Sequence, residues 1–135
     1  MKNLLLTAVL GCAAITASAE SPRWLRNVAI SPDGATVAFT YKGDIFTVPV
    51  KGGKATQLTS NPAYDTAPIW SPDGSKIIFS SNREGSMDIF SINASGGTPV
   101  RLTTNSGSET PIAFLNDHEI LFSTSGMPSR ESARA

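Results

Sequence analysis

Apolar and polar positions along this chain alternate in short runs, and the runs recur. Over Thr36–Tyr41, Val37 and Phe39 share one face; over Lys76–Ser80, Ile77 and Phe79 take the same places. Asp44–Val50 and Asp88–Asn93 behave alike, with Ile45 and Thr47 matching Ile89 and Ser91. A period of two marks β-strands. Shorter strands are predicted on either side, over Asn27–Ile30 and Ala67–Trp70 before each pair, and over Ala55–Thr59 and Val100–Thr104 after it. Past the N-terminal apolar stretch, no segment sustains a helical period.

The connections carry their own chemistry. Ser31-Pro32-Asp33-Gly34 and Ser71-Pro72-Asp73-Gly74 join the first predicted strand to the second. Pro presets φ at the first central turn position, Asp suits the second, and Gly takes the left-handed conformation. All eight are therefore structural turn residues. Gly52-Gly53 and Gly96-Gly97 serve a second tight turn. The large apolar residues before the turns, Ile30 and Trp70, and Phe114 in a third copy, should pack between neighbouring sheets.

Spacing turns these strands into a repeat. Ser31 and Ser71 are 40 residues apart; Asp44 and Asp88, Gly52 and Gly96, and Leu58 and Leu102 are each 44 apart. The extra four residues fall in one hairpin, where Tyr41-Lys42-Gly43 becomes Ser81–Met87, and loops tolerate such changes. Four antiparallel strands every 40-odd residues in tandem indicate a β-propeller blade. The expected fold is all-β: a partial β-propeller with two complete four-stranded antiparallel blades and part of a third. The expected divisions are a signal peptide at 1–19, a lead-in at 20–26, blades at 27–66 and 67–110, a partial blade at 111–124 and an irregular tail at 125–135. In the third copy, Leu115-Asn116-Asp117-His118 replaces Ser-Pro-Asp-Gly. A propeller closes with about four to eight blades. The expectation is thus a truncated gene product, or a small protein that self-associates to cover exposed blade edges.

The start of the chain reads as a secretory leader. Leu4–Ile15 is apolar or small, and Ala17-Ser18-Ala19 is a cleavage site of A-x-A form. Export is expected. Cys12, the single cysteine, sits in a Val-Leu-Gly-Cys stretch that offers lipid anchoring as an alternative. Without residues 1–19 no cysteine remains to form a disulfide, so stability must come from packing. Formal net charge is zero, giving no electrostatic footprint for nucleic acid.

The run Trp70–Gly74, then Ile77–Ser80, Asp88–Phe90 and Gly96–Thr103 resembles the repeat shared by TolB-type propellers and tricorn-like peptidases. The leader followed by Trp24-Leu25-Arg26-Asn27 and a blade is similar to the start of exported tricorn-like serine peptidases of Gram-negative bacteria. That resemblance implies a periplasmic propeller segment that gates substrate or binds peptide or protein. It places the serine nucleophile in a separate C-terminal domain, so no catalytic residue carries over to this chain. The alternatives are a TolB-like module binding an envelope protein, and a non-functional relic.

Candidate chemistry is sparse. Ser31, Ser71, Ser80 and Ser81 fall in turns or at strand ends, where a structural role outweighs a nucleophilic one. His118 is the sole histidine and lies in the altered turn. Asp33, Asp73, Asp117, Asp44 and Asp88 recur one per turn or strand end, too far apart in sequence for a calcium loop. No metal or cofactor is expected. Asn82-Arg83-Glu84-Gly85 caps the longer hairpin, and Arg83 reads first as half of an ion pair and second as a contact for a peptide carboxylate.

Overall fold

The computed structural model describes residues 25–126. The leader expected over 1–19 with Cys12, most of the lead-in, and residues 127–135 lie outside the described residues. Ten strands follow one another: β1 (Leu25–Ile30), β2 (Thr36–Tyr41), β3 (Asp44–Pro49), β4 (Thr56–Gln57), β5 (Asp65–Trp70), β6 (Lys76–Glu84), β7 (Ser86–Asn93), β8 (Val100–Arg101), β9 (Glu109–Phe114) and β10 (Ile120–Thr124). They form two four-stranded antiparallel sheets, β1-β2-β3-β4 and β5-β6-β7-β8, and a two-stranded sheet of β9 and β10. These are two full blades and the opening hairpin of a third.

The expected alternation sets the register. Phe39 lies directly opposite Phe46, and Phe79 opposite Phe90. Each pair stacks, with ring centroids 5.8 Å and 6.1 Å apart. Cross-strand aromatic pairs of this kind stabilise a sheet by about 0.2–1 kcal/mol relative to a pair of alanines. The four inserted residues do fall in the β6–β7 hairpin, where pairing now reaches Glu84 and Ser86.

Strand one begins two residues earlier than the alternation predicted, at Leu25 and at Asp65. The reason is a bulge. Pairing shifts between Arg26 and Ala29 and again between Thr66 and Ile69. Asn27 (φ 50) and Ala67 (φ 52) occupy the left-handed region there. A bulge interrupts the period of two, so the residues before it no longer read as the same strand.

Strand four is shorter than expected, two residues in each blade, because a threonine takes over from the ladder. Thr59 Oγ1 accepts the Ile45 N–H at 2.9 Å, and Thr103 Oγ1 accepts the Ile89 N–H at 2.9 Å. The recurrent Leu-Thr therefore ends strand four with a side-chain acceptor in place of a carbonyl.

Blades pack face to face. Ala38 and Ile45 of the first blade meet Ile77, Phe79, Phe90 and Ile92 of the second, with Leu58 and Trp70 at the margin. Ile78 and Ile89, on the opposite face of the second blade, pack on Ile120, Phe114 and Phe122 of the third. Each fully buried aliphatic or aromatic side chain contributes about 1.5–3 kcal/mol. Trp70 also donates its indole N–H to the Ala29 carbonyl at 3.1 Å, joining two blades. Trp70 and Phe114 pack between sheets as expected, but Ile30 does not: it is 63% exposed, since no sheet among the described residues covers that face of the first blade. Strands β1, β5 and β9 lie side by side, whereas β4 and β8 touch only their own sheets. The first strands therefore form the inner wall and the fourth strands the outer rim.

Candidate functional site

The two Ser-Pro-Asp-Gly segments are built alike. Gly34 and Gly74 donate their N–H to the Ser31 and Ser71 carbonyls, closing the turns, and both glycines are left-handed (φ 71 and 72). Asp33 Oδ1 accepts from Ser31 Oγ at 2.5 Å and from the Ala35 N–H at 3.0 Å; Asp73 Oδ1 accepts from Ser71 Oγ at 2.6 Å and from the Ser75 N–H at 3.0 Å. Hydrogen bonds from Ser31 and Ala35 hold the Asp33 carboxyl below its ordinary value. The Ser71 and Ser75 donors bring Asp73 down to about 2. Each serine hydroxyl then accepts the N–H across the hairpin, from Thr36 and Lys76, at 2.9 Å. The altered third turn also closes: Asn116 Oδ1 accepts the N–H groups of His118 and Glu119 at 2.9 Å and 3.0 Å. Asn116 replaces the absent aspartate acceptor, and His118 is left exposed on that turn.

At the opposite end of the blades, carboxylates are buried in the seams. Asp65, at the start of β5, is wholly buried and accepts two hydrogen bonds from Arg83 Nη2, each 3.0 Å. Arg83 Nε donates to Ser81 Oγ at 2.9 Å, and the guanidinium carbon lies 4.8 Å from the Phe90 ring centroid. Arg83 thus folds inward as half of an ion pair, and a peptide carboxylate would have to displace Asp65 to reach it. In the second seam the arginine comes from strand four instead: Arg101 Nη2 donates to Asp88 Oδ2 at 2.7 Å. Glu109, wholly buried at the start of β9, accepts from Asn105 Nδ2 at 2.6 Å. Desolvation pushes Asp88 up, against the Arg101 charge. Desolvation also raises Asp44, reinforced by Asp65, while Gln57 donates to its Oδ2 at 3.0 Å.

Asp65, Glu109 and Arg101 escaped the pattern of turns, although one signal for the acids was present. Asp65 and Glu109 stand 44 residues apart, each four residues beyond the Asn of a Leu-Thr-x-Asn segment repeated from Leu58 and Leu102. The serines considered as nucleophiles have structural partners: Ser80 Oγ donates to the Glu109 carbonyl at 2.5 Å, and Ser81 Oγ accepts from Arg83. Among the described residues no group of three or more His, Cys, Asp or Glu is placed to hold a metal ion.

Concavities lie at both ends of the blades and on an open face, one of about 370 Å³ being lined by Asp73, Lys76, Phe114 and His118 between the second turn and the altered third. A groove of about 690 Å³ runs between the first two Ser-Pro-Asp-Gly turns, over Trp70 and Pro49. An open apolar hollow of about 460 Å³ covers the outer face of the first blade, over Val37, Phe39, Phe46 and Val48. These are the repeat equivalents of Ile77, Phe79, Phe90 and Ile92, which the first blade covers in the second. Another, about 410 Å³, lies at the carboxylate end of the first seam and is lined by Arg26, Thr40, Lys42, Gly43 and Tyr64. The chain pins it from two sides: the Asp65 N–H donates to the Gly43 carbonyl at 2.7 Å, and the Tyr64 N–H to Asn82 Oδ1 at 2.7 Å.

A family model for the tricorn protease N-terminal β-propeller domain matches residues 22–135. Tricorn protease homolog 1 of Streptomyces coelicolor is 33% identical over 72 residues, covering 53% of this chain and 7% of that protein. Dipeptidyl-peptidase 5 of Porphyromonas gingivalis is 30% identical over 108 residues, covering 63% of this chain and 16% of its own length. Among solved structures, a protein assigned as TolB from Agrobacterium tumefaciens superposes with a TM-score of 0.67 at 25% identity, over 76% of this chain and 39% of that one. The tricorn protease structure gives 0.58 at 16% identity, over 82% of this chain and 12% of that one, and speaks for the fold alone. The chain spans well under a third of the length of these curated relatives.

Proposed function

The chain belongs to the tricorn protease N-terminal β-propeller family, and on that premise we propose that it serves as a peptide-binding and substrate-gating propeller segment of an exported tricorn-like peptidase. On this reading it binds peptide without cleaving it. The observation behind this reading is the inner wall. Strands β1, β5 and β9 stand abreast, so their exposed surfaces and seam ends face the axis along which a substrate would pass. The Ser80 hydroxyl and the Trp70 indole tie each blade to the next, while the pocket at Arg26, Lys42 and Tyr64 opens at the end of that wall. The leader-like sequence over 1–19 supports delivery to the periplasm.

The test is direct. The purified full chain is incubated with an unstructured peptide, with binding followed by calorimetry and cleavage by mass spectrometry. Binding without cleavage is expected. Cleavage abolished by replacing one of the chain's own serines would overturn the proposal. Osmotic-shock fractionation of cells making a C-terminally tagged chain should release it with the periplasmic contents. Recovery in the cytoplasm at full length would refute export.

A second reading, a TolB-like module that binds an envelope protein, draws on the superposition with the Agrobacterium structure. Cross-linking in intact cells to an envelope lipoprotein, without peptide binding by the pure chain, would favour it.

A further inference from the structure

From the geometry of the first seam we infer that the pocket of Arg26, Thr40, Lys42, Gly43 and Tyr64 is a carboxylate-recognition site, taking the C-terminal carboxylate or an acidic side chain of a bound peptide. This rests on the peptide-binding reading above and names the group that is recognised.

The cations are free for the purpose. The two ion pairs among the described residues use Arg83 and Arg101. Arg26 and Lys42 are exposed and line the same pocket of about 410 Å³. Lys42 Nζ lies 5.4 Å from the Tyr41 ring centroid and takes part in neither ion pair. Thr40, paired with Arg26 across β1 and β2, is 2% exposed, and its Oγ1 has no hydrogen-bond partner. The repeat shows what this hydroxyl lacks. At the equivalent place in the second seam, Ser80 Oγ donates to the Glu109 carbonyl, so that hydroxyl is partnered where Thr40 is not. An unmet buried hydroxyl beside two unpaired cations is a donor set suited to an anionic oxygen.

The pocket is also held in shape. Tyr64 packs so tightly on the turn that a Cβ at Gly43 would lie 3.1 Å from Tyr64 Cδ2. Asp65 N–H and Gly43 C=O lock the same contact. The local charge favours an anion. Arg26, Lys42 and Arg83 outnumber Asp44 and Asp65 by one, and Arg83 already neutralises Asp65. Asp44 retains a buried, unpartnered Oδ1, and desolvation opposes its ionisation. A monodentate carboxylate fits this balance better than a dianion.

The experiment uses the full chain and short peptides carrying a neutral BODIPY label, followed by fluorescence anisotropy. One peptide has a free C-terminus, the second is its C-terminal amide, and the third is the amide with one internal Glu. Binding of the first and not the second assigns the C-terminal carboxylate. Binding of the third over the second assigns an acidic side chain. In either case the double variant R26Q/K42Q should lose about tenfold or more per cation removed, and the affinity should fall with salt. K54Q, an exposed lysine on the β3–β4 connection, should bind as the parent does. T40V, which replaces the unpartnered hydroxyl by a methyl, should weaken carboxylate binding while leaving the fold intact, as read by circular dichroism. Equal binding of all three peptides, or binding unchanged in R26Q/K42Q, overturns the carboxylate site but leaves peptide binding standing. No binding of any peptide overturns both.

Discussion

Replacing Arg83 with Met removes the cation of the first seam and keeps an apolar stem over Phe79 and Phe90. In the parent, Asp65 is wholly buried and takes both of its 3.0 Å side-chain hydrogen bonds from one guanidinium nitrogen. Without Arg83 its carboxylate is left in the seam without a counter-charge, and Ser81 loses a donor. Breaking a buried ion pair by removing one partner costs about 3–5 kcal/mol. Neutralising the acid instead, in D65N, should cost less, about 1–2 kcal/mol. Arg83 stands on a hairpin, its side chain 12% exposed, and can turn toward water. The double variant D65N/R83M should recover part of the loss, giving a coupling of about 2–3 kcal/mol. Equilibrium urea unfolding, followed by far-ultraviolet circular dichroism, measures all four proteins. A loss of about 4 kcal/mol would be about a quarter or more of a domain's usual stability. The cycle is therefore best run with a stabilising osmolyte present throughout. A cost below about 1 kcal/mol for R83M, or strict additivity in the cycle, would show that the pair is solvated and that the seam does not depend on it.

Further outcomes follow from other residues. Thr103→Val keeps the shape but leaves the buried Ile89 N–H without an acceptor; it should cost about 1–3 kcal/mol, while Thr103→Ser stays near the parent, and faster hydrogen exchange at Ile89 would identify the cause. Gly43→Ala pairs a left-handed φ of 88 with a 3.1 Å approach to Tyr64, whereas Gly52→Ala has the same φ and open space. Both should lose about 1–2 kcal/mol to backbone strain, and G43A should unfold at lower urea than G52A. Asp73 has its carboxyl held at about 2, below its ordinary 3.8, so the unfolded chain binds more protons across that window. Its contribution is present above pH 3.8 and lost as pH falls through about 2. Asp73→Asn should flatten the rise of stability with pH between about 2 and 4, and an unchanged slope would remove Asp73 from the account. Asp44 and Asp88, with raised values, act in the opposite sense: stability falls as pH rises from 3.8 through their folded-state values.

Much of the architecture was legible because local rules produced it. Alternation at Val37, Phe39, Ile77 and Phe79 marked the central strands, and Ser-Pro-Asp-Gly marked the turns with their mechanism. The bulges at Asn27 and Ala67 were not legible, since neither is a glycine and nothing local demands a positive φ there. Arg83 was legible as an ion-pair residue but not its partner, which lies 18 positions earlier on the neighbouring strand. The pocket went unseen because Arg26, Lys42 and Tyr64 sit on three separate segments with no shared spacing.

The sequence by itself determined the repeat, the strand order within a blade, the turn chemistry and the hairpin that absorbs four extra residues. These depend on contacts between near neighbours, where period and turn residues leave few alternatives. Only the tertiary structure decided what happens between blades: which carboxylates are buried, which arginine answers each, why Ile30 stays exposed while Trp70 packs, and which cations remain free. Those outcomes depend on one sheet facing another. The burial that makes a charge pair costly or an apolar face open comes from residues about 40 positions away, which no local pattern encodes.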